Sequence, residues 1–489
     1  MPAVTKRPAT LDIALLTALF AAEGAVAVIA LALYKKGERP LLQFVRAPAG
    51  LVLVAALVVA AVSIVFVVSR FRRSRETPAV FVATLLLNLL WVGLALGTAE
   101  ISIRALTVST PAGESFAGTV LLPKSWDNLA RRNRDVLARA AKTGSYLVFD
   151  ERLGWSIAPG RGSKDPYRTL RPKALQIGPG GESDIYLSSA EGLRSRVIGD
   201  SLAARRPAHR IALVGDSFTF GLEVNYEDTW GDRLERSLGA DTQVLNFGVD
   251  GYGVDQSVLR YQRDVPAWHP DIAILSFILD DLRRTQCVYA FLCFQAFGEI
   301  PFPKPRFAPA AGGIRQVNAP LPLPESVFAK PTIASLPFVD YDITYNPREW
   351  RRHFYDRSYL VRFVRSRFPL WPADRPEIDP EAGNQVNATF LREFIHLAEE
   401  QGVFPIVVGF PSKSDFSAAA TGDRGPLARI VGGYGVPFVD MTACVTRVPA
   451  DQRFVFLHYS PAVNAAVANC LADSVRHLER SIGAHRRRD

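Results

Sequence analysis

The chain has 489 residues, with 57 Lys or Arg against 48 Asp or Glu, a net charge of +9, and 48% hydrophobic residues. That length accommodates two or three structural units, and the apolar fraction excludes a wholly disordered chain. The basic clusters stand beside apolar runs (YKKGER, RFRRSR) or in the final HRRRD, which favours membrane flanks and a surface tail over a nucleic-acid partner.

Three apolar runs come first: Ile13–Tyr34, Leu51–Ser69 and Ala79–Gly97. Each supplies about the twenty residues a helix needs to cross a bilayer, so residues 1–106 are expected to form a membrane anchor with three transmembrane helices. Glu23 lies within the first run and Asn88 within the third. A protonated carboxyl bonded to a neighbouring helix is the ordinary reading of Glu23, and an intramembrane functional group the other. Lys6 and Arg7 share one side with Arg70, Arg72, Arg73 and Arg75, while Lys35, Lys36, Arg39 and Arg46 share the other with everything after residue 97. The Lys/Arg bias puts the first group in the cytoplasm and the C-terminal domain outside it, periplasmic or extracellular. The ALA at 30–32 would alternatively close a cleaved signal peptide. Losing the first crossing still leaves the domain outside.

Residues 107–208 read as a connector packed on the main domain, with short strand-like pieces such as FDERLGWSIAPG. From 209 the pattern changes. Apolar runs at 210–215, 242–248, 271–277, 403–410 and 436–440 alternate with helical patterns at 226–238, 255–264, 384–402, 424–432 and 461–481. Strands alternating with helices predict a parallel sheet covered on both faces, here a doubly wound, flavodoxin-like α/β domain over 209–489. Ligands of such sheets collect at the carboxyl ends of the strands, where Ser217, Gly251, Asp280 and Asp440 fall. The interval 282–380 breaks the alternation with IPFPKPRFAPA and then REWRRHFYDRSYLVRFVRSRF, and it reads as an insertion beside the site. Its arginines would meet an anionic ligand, anionic headgroups or, most simply, solvent.

The cysteines are Cys287, Cys293, Cys444 and Cys470. Their even number suits two disulfides in an oxidising compartment, Cys287–Cys293 and Cys444–Cys470; four buried thiols are the alternative. No Cys-x-x-Cys or His cluster marks a metal site, and no cofactor is expected.

Chemistry concentrates in four segments: GDSFTFG around Ser217, NFGVDGYGVDQ around Gly251, SFILDD around Asp280 and FVFLHYSPAVNAAVA around His458. Any one of them is an ordinary turn or helix start. In this order and approximate spacing, over roughly residues 205–480, they resemble the sequence blocks of the SGNH (GDSL-type) hydrolase family, in particular its membrane-attached cell-envelope members. The resemblance implies Ser217 as nucleophile, His458 as base, and the N–H groups of Ser217 and Gly251 as oxyanion donors. A serine hydroxyl needs such a base to become nucleophilic, and glycine lets the backbone approach an oxyanion closely.

Two positions depart from the family pattern. Asp280 stands where the third block usually has Asn; it would donate to an oxyanion only if protonated, or else sit back and hold its loop. Val455 stands where an Asp usually precedes the histidine by three residues, which leaves Asp451, Asp440 or a backbone carbonyl to orient His458. The expected activity is a membrane-anchored serine esterase or O-acyl transferase acting on acylated envelope glycans or lipids. The alternative is a catalytically degenerate binding or assembly protein.

Overall fold

The computed structural model describes residues 78–110, 113–163, 184–294, 300–367, 380–418 and 426–485. The apolar runs 13–34 and 51–69 lie outside them. The third run falls in a 29-residue helix, Pro78–Leu106. Among the described residues no helix is long and apolar enough to cross a membrane.

The chain divides into two compact units, Met1–Leu129 with Asn346–Asp374, and Ala130–Tyr345 with Arg375–Asp489. In the first, the Glu100 carboxylate near the end of helix Pro78–Leu106 accepts from Ser358 Oγ (2.8 Å) and from the N–H groups of Tyr359 (2.9 Å) and Leu360 (2.8 Å). A carboxylate there satisfies orphan donors at the start of helix Tyr359–Arg367. Arg362 of that helix is buried against Glu114 at 2.5 Å. The basic, aromatic part of the presumed insertion thus belongs to the unit of helix Pro78–Leu106, whereas residues 282–345 belong to the other.

The second unit is built on an eight-stranded sheet. Its strands are β1 (Gly162–Ser163), β2 (Tyr186–Ser188), β3 (Arg194–Ser195), β4 (His209–Gly215), β5 (Thr242–Asn246), β6 (Ile272–Phe277), β7 (Phe404–Gly409) and β8 (Val439–Asp440). They lie in the order β8-β7-β6-β4-β5-β3-β2-β1. β4 to β8 are the expected five, all parallel, with Ile211 opposite Val244 and Ile272. β1, β2 and β3 pair antiparallel and attach to β5 through Arg194 and Asn246. The stretch read as a connector therefore supplies a sheet edge.

Alternation along β4 builds two cores. Ala212 and Val214 face one, with Val258 of helix Val254–Asp264 and Leu391 of helix Pro380–Glu400. Ile211 and Leu213 face the other, with Leu234 of helix Trp230–Leu238 and Val467 of helix Pro461–His485. Successive side chains leave opposite faces of a strand, so an apolar run without polar alternation must be covered on both sides. The covering helices leave the carboxyl ends of the parallel strands as the place where loops converge.

Candidate active site

Ser217 follows β4 immediately. Any Cβ on Gly215 would collide with Thr219 Oγ1 and the Ser276 carbonyl, so only glycine lets the chain leave the strand this closely. Asp216 caps the short helix Ser217–Phe220, accepting from the Phe218 N–H at 2.9 Å. The serine is thereby fixed at the strand end with its own N–H among the first, unbonded donors of the helical turn.

His458 comes from the loop before helix Pro461–His485. Its Nε2 lies 2.8 Å from Ser217 Oγ and its Nδ1 lies 3.0 Å from Glu223 Oε1. An ionised carboxylate only accepts, so Nδ1 carries the proton and Nε2 is left to accept from the serine hydroxyl. Both spacings are within the reach needed for proton transfer.

Glu223 was not among the residues expected. Its side chain is 1% exposed. It also accepts from the N–H groups of Phe456 (2.9 Å), Leu457 (3.1 Å) and His458 (3.1 Å) through Oε2. Burial works to raise its pKa. The His458 ring and these backbone donors outweigh burial and hold the carboxyl at about 2. Three consecutive N–H groups converging on one carboxylate form an anion nest. The loop that in the resembled family would carry its own acid here wraps around an acid from the segment following the nucleophile. Glu223 has a φ of 71°, an uncommon left-handed conformation for a residue with a side chain. One signal was present: Glu223 interrupts the apolar stretch around Leu222 and Val224, and a lone carboxylate there asks for a partner.

The acids expected at this position lie elsewhere. Asp440 accepts from the N–H and hydroxyl of Thr442 at the end of β8. Asp451 is exposed on a short helical turn, Ala450–Gln452. Val455 is also exposed, and its N–H donates to the His458 carbonyl at 3.0 Å.

Asp280 is not a protonated donor. Its carboxylate meets Arg283 at 2.8 Å and Arg284 at 3.0 Å. Burial opposes its charge, but the two guanidinium groups prevail and keep the carboxyl at about 2. An ionised carboxylate has no hydrogen to give an oxyanion; Asp280 instead pairs with two arginines of its own short helix, Leu279–Arg284. Arg284 also reaches Asp281 at 2.6 Å and approaches Asp216 to 3.7 Å. Burial raises the pKa of both Asp216 and Asp281, with Arg284 acting against it.

Gly251 sits at φ 79°, and a Cβ there would meet Ile300 at 3.1 Å. Ser217, Gly251, Asp280, Arg284 and His458 all line one cavity of about 400 Å³, with Phe294 and Leu457 among its apolar walls. Among the described residues, neither the Ser217 nor the Gly251 N–H meets an acceptor. The cysteines pair as Cys287–Cys293 and Cys444–Cys470, and Cys293 is part of the same cavity wall. Among the described residues no group of His, Cys, Asp or Glu is arranged to hold a metal ion.

No protein-family model and no curated protein matches the chain. Solved structures with similar elements include a lipase/acylhydrolase from Enterococcus faecalis, 13% identical, covering 55% of this chain and 96% of that one at a TM-score of 0.28. A member of the lipolytic protein G-D-S-L family from Veillonella parvula DSM 2008 is 12% identical, over 54% of this chain and 95% of that one, with a TM-score of 0.25. A carbohydrate acetylesterase from Sinorhizobium meliloti is 11% identical, over 55% and 99%, with a TM-score of 0.26. At these identities and TM-scores, the chemistry rests on the chain's own residues.

Proposed function

We propose that the protein is a serine ester hydrolase working through Ser217, His458 and Glu223. The observation that carries this is the continuous relay from Ser217 Oγ to His458 at 2.8 Å and on to Glu223 at 3.0 Å, opening on a cavity. His458 Nε2 takes the Ser217 proton as Oγ attacks the acyl carbon. The carbonyl oxygen becomes an oxyanion facing the Ser217 and Gly251 N–H groups. Glu223 stabilises the imidazolium and stays ionised. Collapse breaks the bond to the leaving alcohol, whose oxygen receives the proton from His458. Water then attacks the acyl-enzyme, giving its proton to His458, and the acid departs as Ser217 regains its hydrogen. Preorganised donors at the oxyanion are worth about 2.7–4 kcal/mol each.

The finer reading is that this domain works outside the cytoplasm on acylated envelope glycans or lipids, tethered by apolar helices within residues 1–106. Its supports are the apolar runs, the Lys/Arg bias and the paired cysteines. A sugar hydroxyl replacing water in the second half-reaction would make the enzyme an O-acyl transferase. The degenerate binding protein is disfavoured because the base is oriented by an ionised acid. The test is hydrolysis of a short-chain aryl ester by the full chain beside Ser217→Ala. Hydrolysis is expected to fall to background in the variant, and equal rates would refute the esterase reading.

A further inference from the structure

We propose that Trp155 and Arg284 are positioning residues that clamp the Asp250–Gly253 loop and aim the Gly251 N–H at the reacting carbonyl. The inference rests on Ser217 attacking an ester. Trp155 belongs to the hairpin Leu147–Asp150 and Gly154–Ile157, outside the stretch that resembles hydrolase sequence blocks. It is fully buried, and its Nε1–H donates to the Asp250 carbonyl at 3.0 Å.

That bond fixes more than a carbonyl. The Asp250–Gly251 peptide is trans, since the cis bonds are Leu122–Pro123 and Ala319–Pro320. In a trans peptide the C=O and N–H point in opposite directions. With the carbonyl turned toward the indole, the Gly251 N–H is turned away from it. Gly251 lines the cavity beside Ser217 and Trp155 does not, and the proposed clamp places the amide on the cavity side. The next peptide plane is held by the Tyr252 N–H, which donates to the Val249 carbonyl at 3.3 Å. The third is held by Arg284, whose Nη1 donates to the Tyr252 carbonyl at 3.1 Å. Three successive planes around Gly251 are therefore pinned. Tyr252 closes the clamp: its hydroxyl donates to the Trp155 carbonyl, and the two rings pack edge to face at 5.6 Å.

This clamp matters more here because Asp280 is ionised and supplies no donor. Two backbone N–H groups are left for the oxyanion, and hydrogen bonds weaken steeply as their angle departs from linear. Gly251, with a φ of 79° and no side chain, has the backbone freedom to swing its amide elsewhere if nothing holds it. A carboxylate where the resembled family has an amide, and a tryptophan with an arginine on the glycine loop, form one compensated arrangement.

The test uses the full chain with the Trp155 indole N–H removed while its shape is kept, by incorporating benzothienylalanine at position 155, alongside Trp155→Phe. Removing an oxyanion donor outright costs about 10²–10³ in kcat, so loosening one is expected to lower kcat at least about tenfold. KM should stay within about threefold, and an aryl boronic acid that mimics the tetrahedral adduct should weaken by a factor similar to the kcat loss. Thermal midpoints identify variants that remain folded. Arg284→Gln should show the same split between kcat and KM, with partial recovery by added guanidinium. A folded benzothienylalanine protein with kcat within twofold of the parent would overturn the clamp, as would a kcat loss with unchanged boronate affinity. Failure of the esterase reading itself looks different, because Ser217→Ala would then retain hydrolysis.

Discussion

What separates Glu223 from Asp440 and Asp451 is its partners. Glu223 faces an imidazole and three backbone N–H groups, whereas Asp440 serves Thr442. Glu223→Gln is therefore expected to reduce kcat by about 10²–10⁴, the upper figure being the cost of a mis-set histidine in a serine-protease triad. Asp440→Asn and Asp451→Asn should leave kcat within about twofold. Rates measured side by side on one aryl ester decide it, and a large loss in either aspartate variant with none in Glu223→Gln would remove Glu223 from the relay.

The same carboxylate carries a pH signature. Its folded pKa lies near 2 against an ordinary value of 4.5, so the unfolded chain binds its proton first as pH falls. The stabilisation is complete above about 4.5 and disappears as pH drops toward 2. Acid denaturation followed between pH 5 and pH 2 should thus be shallower in Glu223→Gln than in the parent. Parallel curves would mean that the carboxylate contributes nothing to folding stability in that range.

At the scale of elements, the buried pair of Lys304 and Asp255 offers a sharp case. Nζ lies 2.6 Å from Oδ2, with the side chains 1% and 0% exposed. Asp255 lies in the first turn of the helix after the Asp250–Gly253 loop, and the Lys304 carbonyl accepts from Asn318 at 2.7 Å. Burial lowers the lysine pKa while Asp255 opposes it. Lys304→Ala leaves a buried carboxylate alone, which typically costs about 3–5 kcal/mol. Lys304→Met with Asp255→Leu should recover most of that in denaturant unfolding, and equal losses in the single and double variants would contradict an electrostatic origin.

Elements were readable where burial writes itself into composition. β4 and β6 are buried on both faces, so Ile211–Val214 and Ile272–Leu275 appear as apolar runs with their own punctuation, and β7 reads the same way although it is buried only from Val407 onward. β1, β2 and β3 are two or three residues long, too short for any period to register. Arg194 in β3 is fully buried yet charged; it donates to the carbonyls of Ile185 and Val224, a fate invisible from its residue type. Ser217, His458 and Gly251 were legible because glycine-rich turns and a histidine before a helix recur in a known order. Glu223 showed itself only as a lone carboxylate in an apolar stretch; its role was hidden because its partner is distant in sequence and meets it only through tertiary folding.

For the molecule as a whole, the apolar stretches within residues 1–106 and the disulfide-bearing domain make a joint demand. If the chain crosses a bilayer three times, an N-terminus in the cytoplasm puts Asp489 outside; if the first run is cleaved, two further crossings still end outside. Odd and shortened cases thus converge on one side, and only an even number from a cytoplasmic start, or an odd number from an external one, defeats it. Cysteines paired as Cys287–Cys293 and Cys444–Cys470 are favoured by the oxidising side. The full chain made in a bacterial host should therefore stay with membranes through an alkaline carbonate wash. A phosphatase that folds only outside the cytoplasm, fused after Asp489, should be active, and thiols should remain unreactive without reductant. Release by carbonate would defeat the anchor, while retention with an inactive phosphatase would reverse the orientation. In that second case Ser217 would face the cytoplasm, and the substrate would have to be sought among intracellular esters instead of envelope polymers.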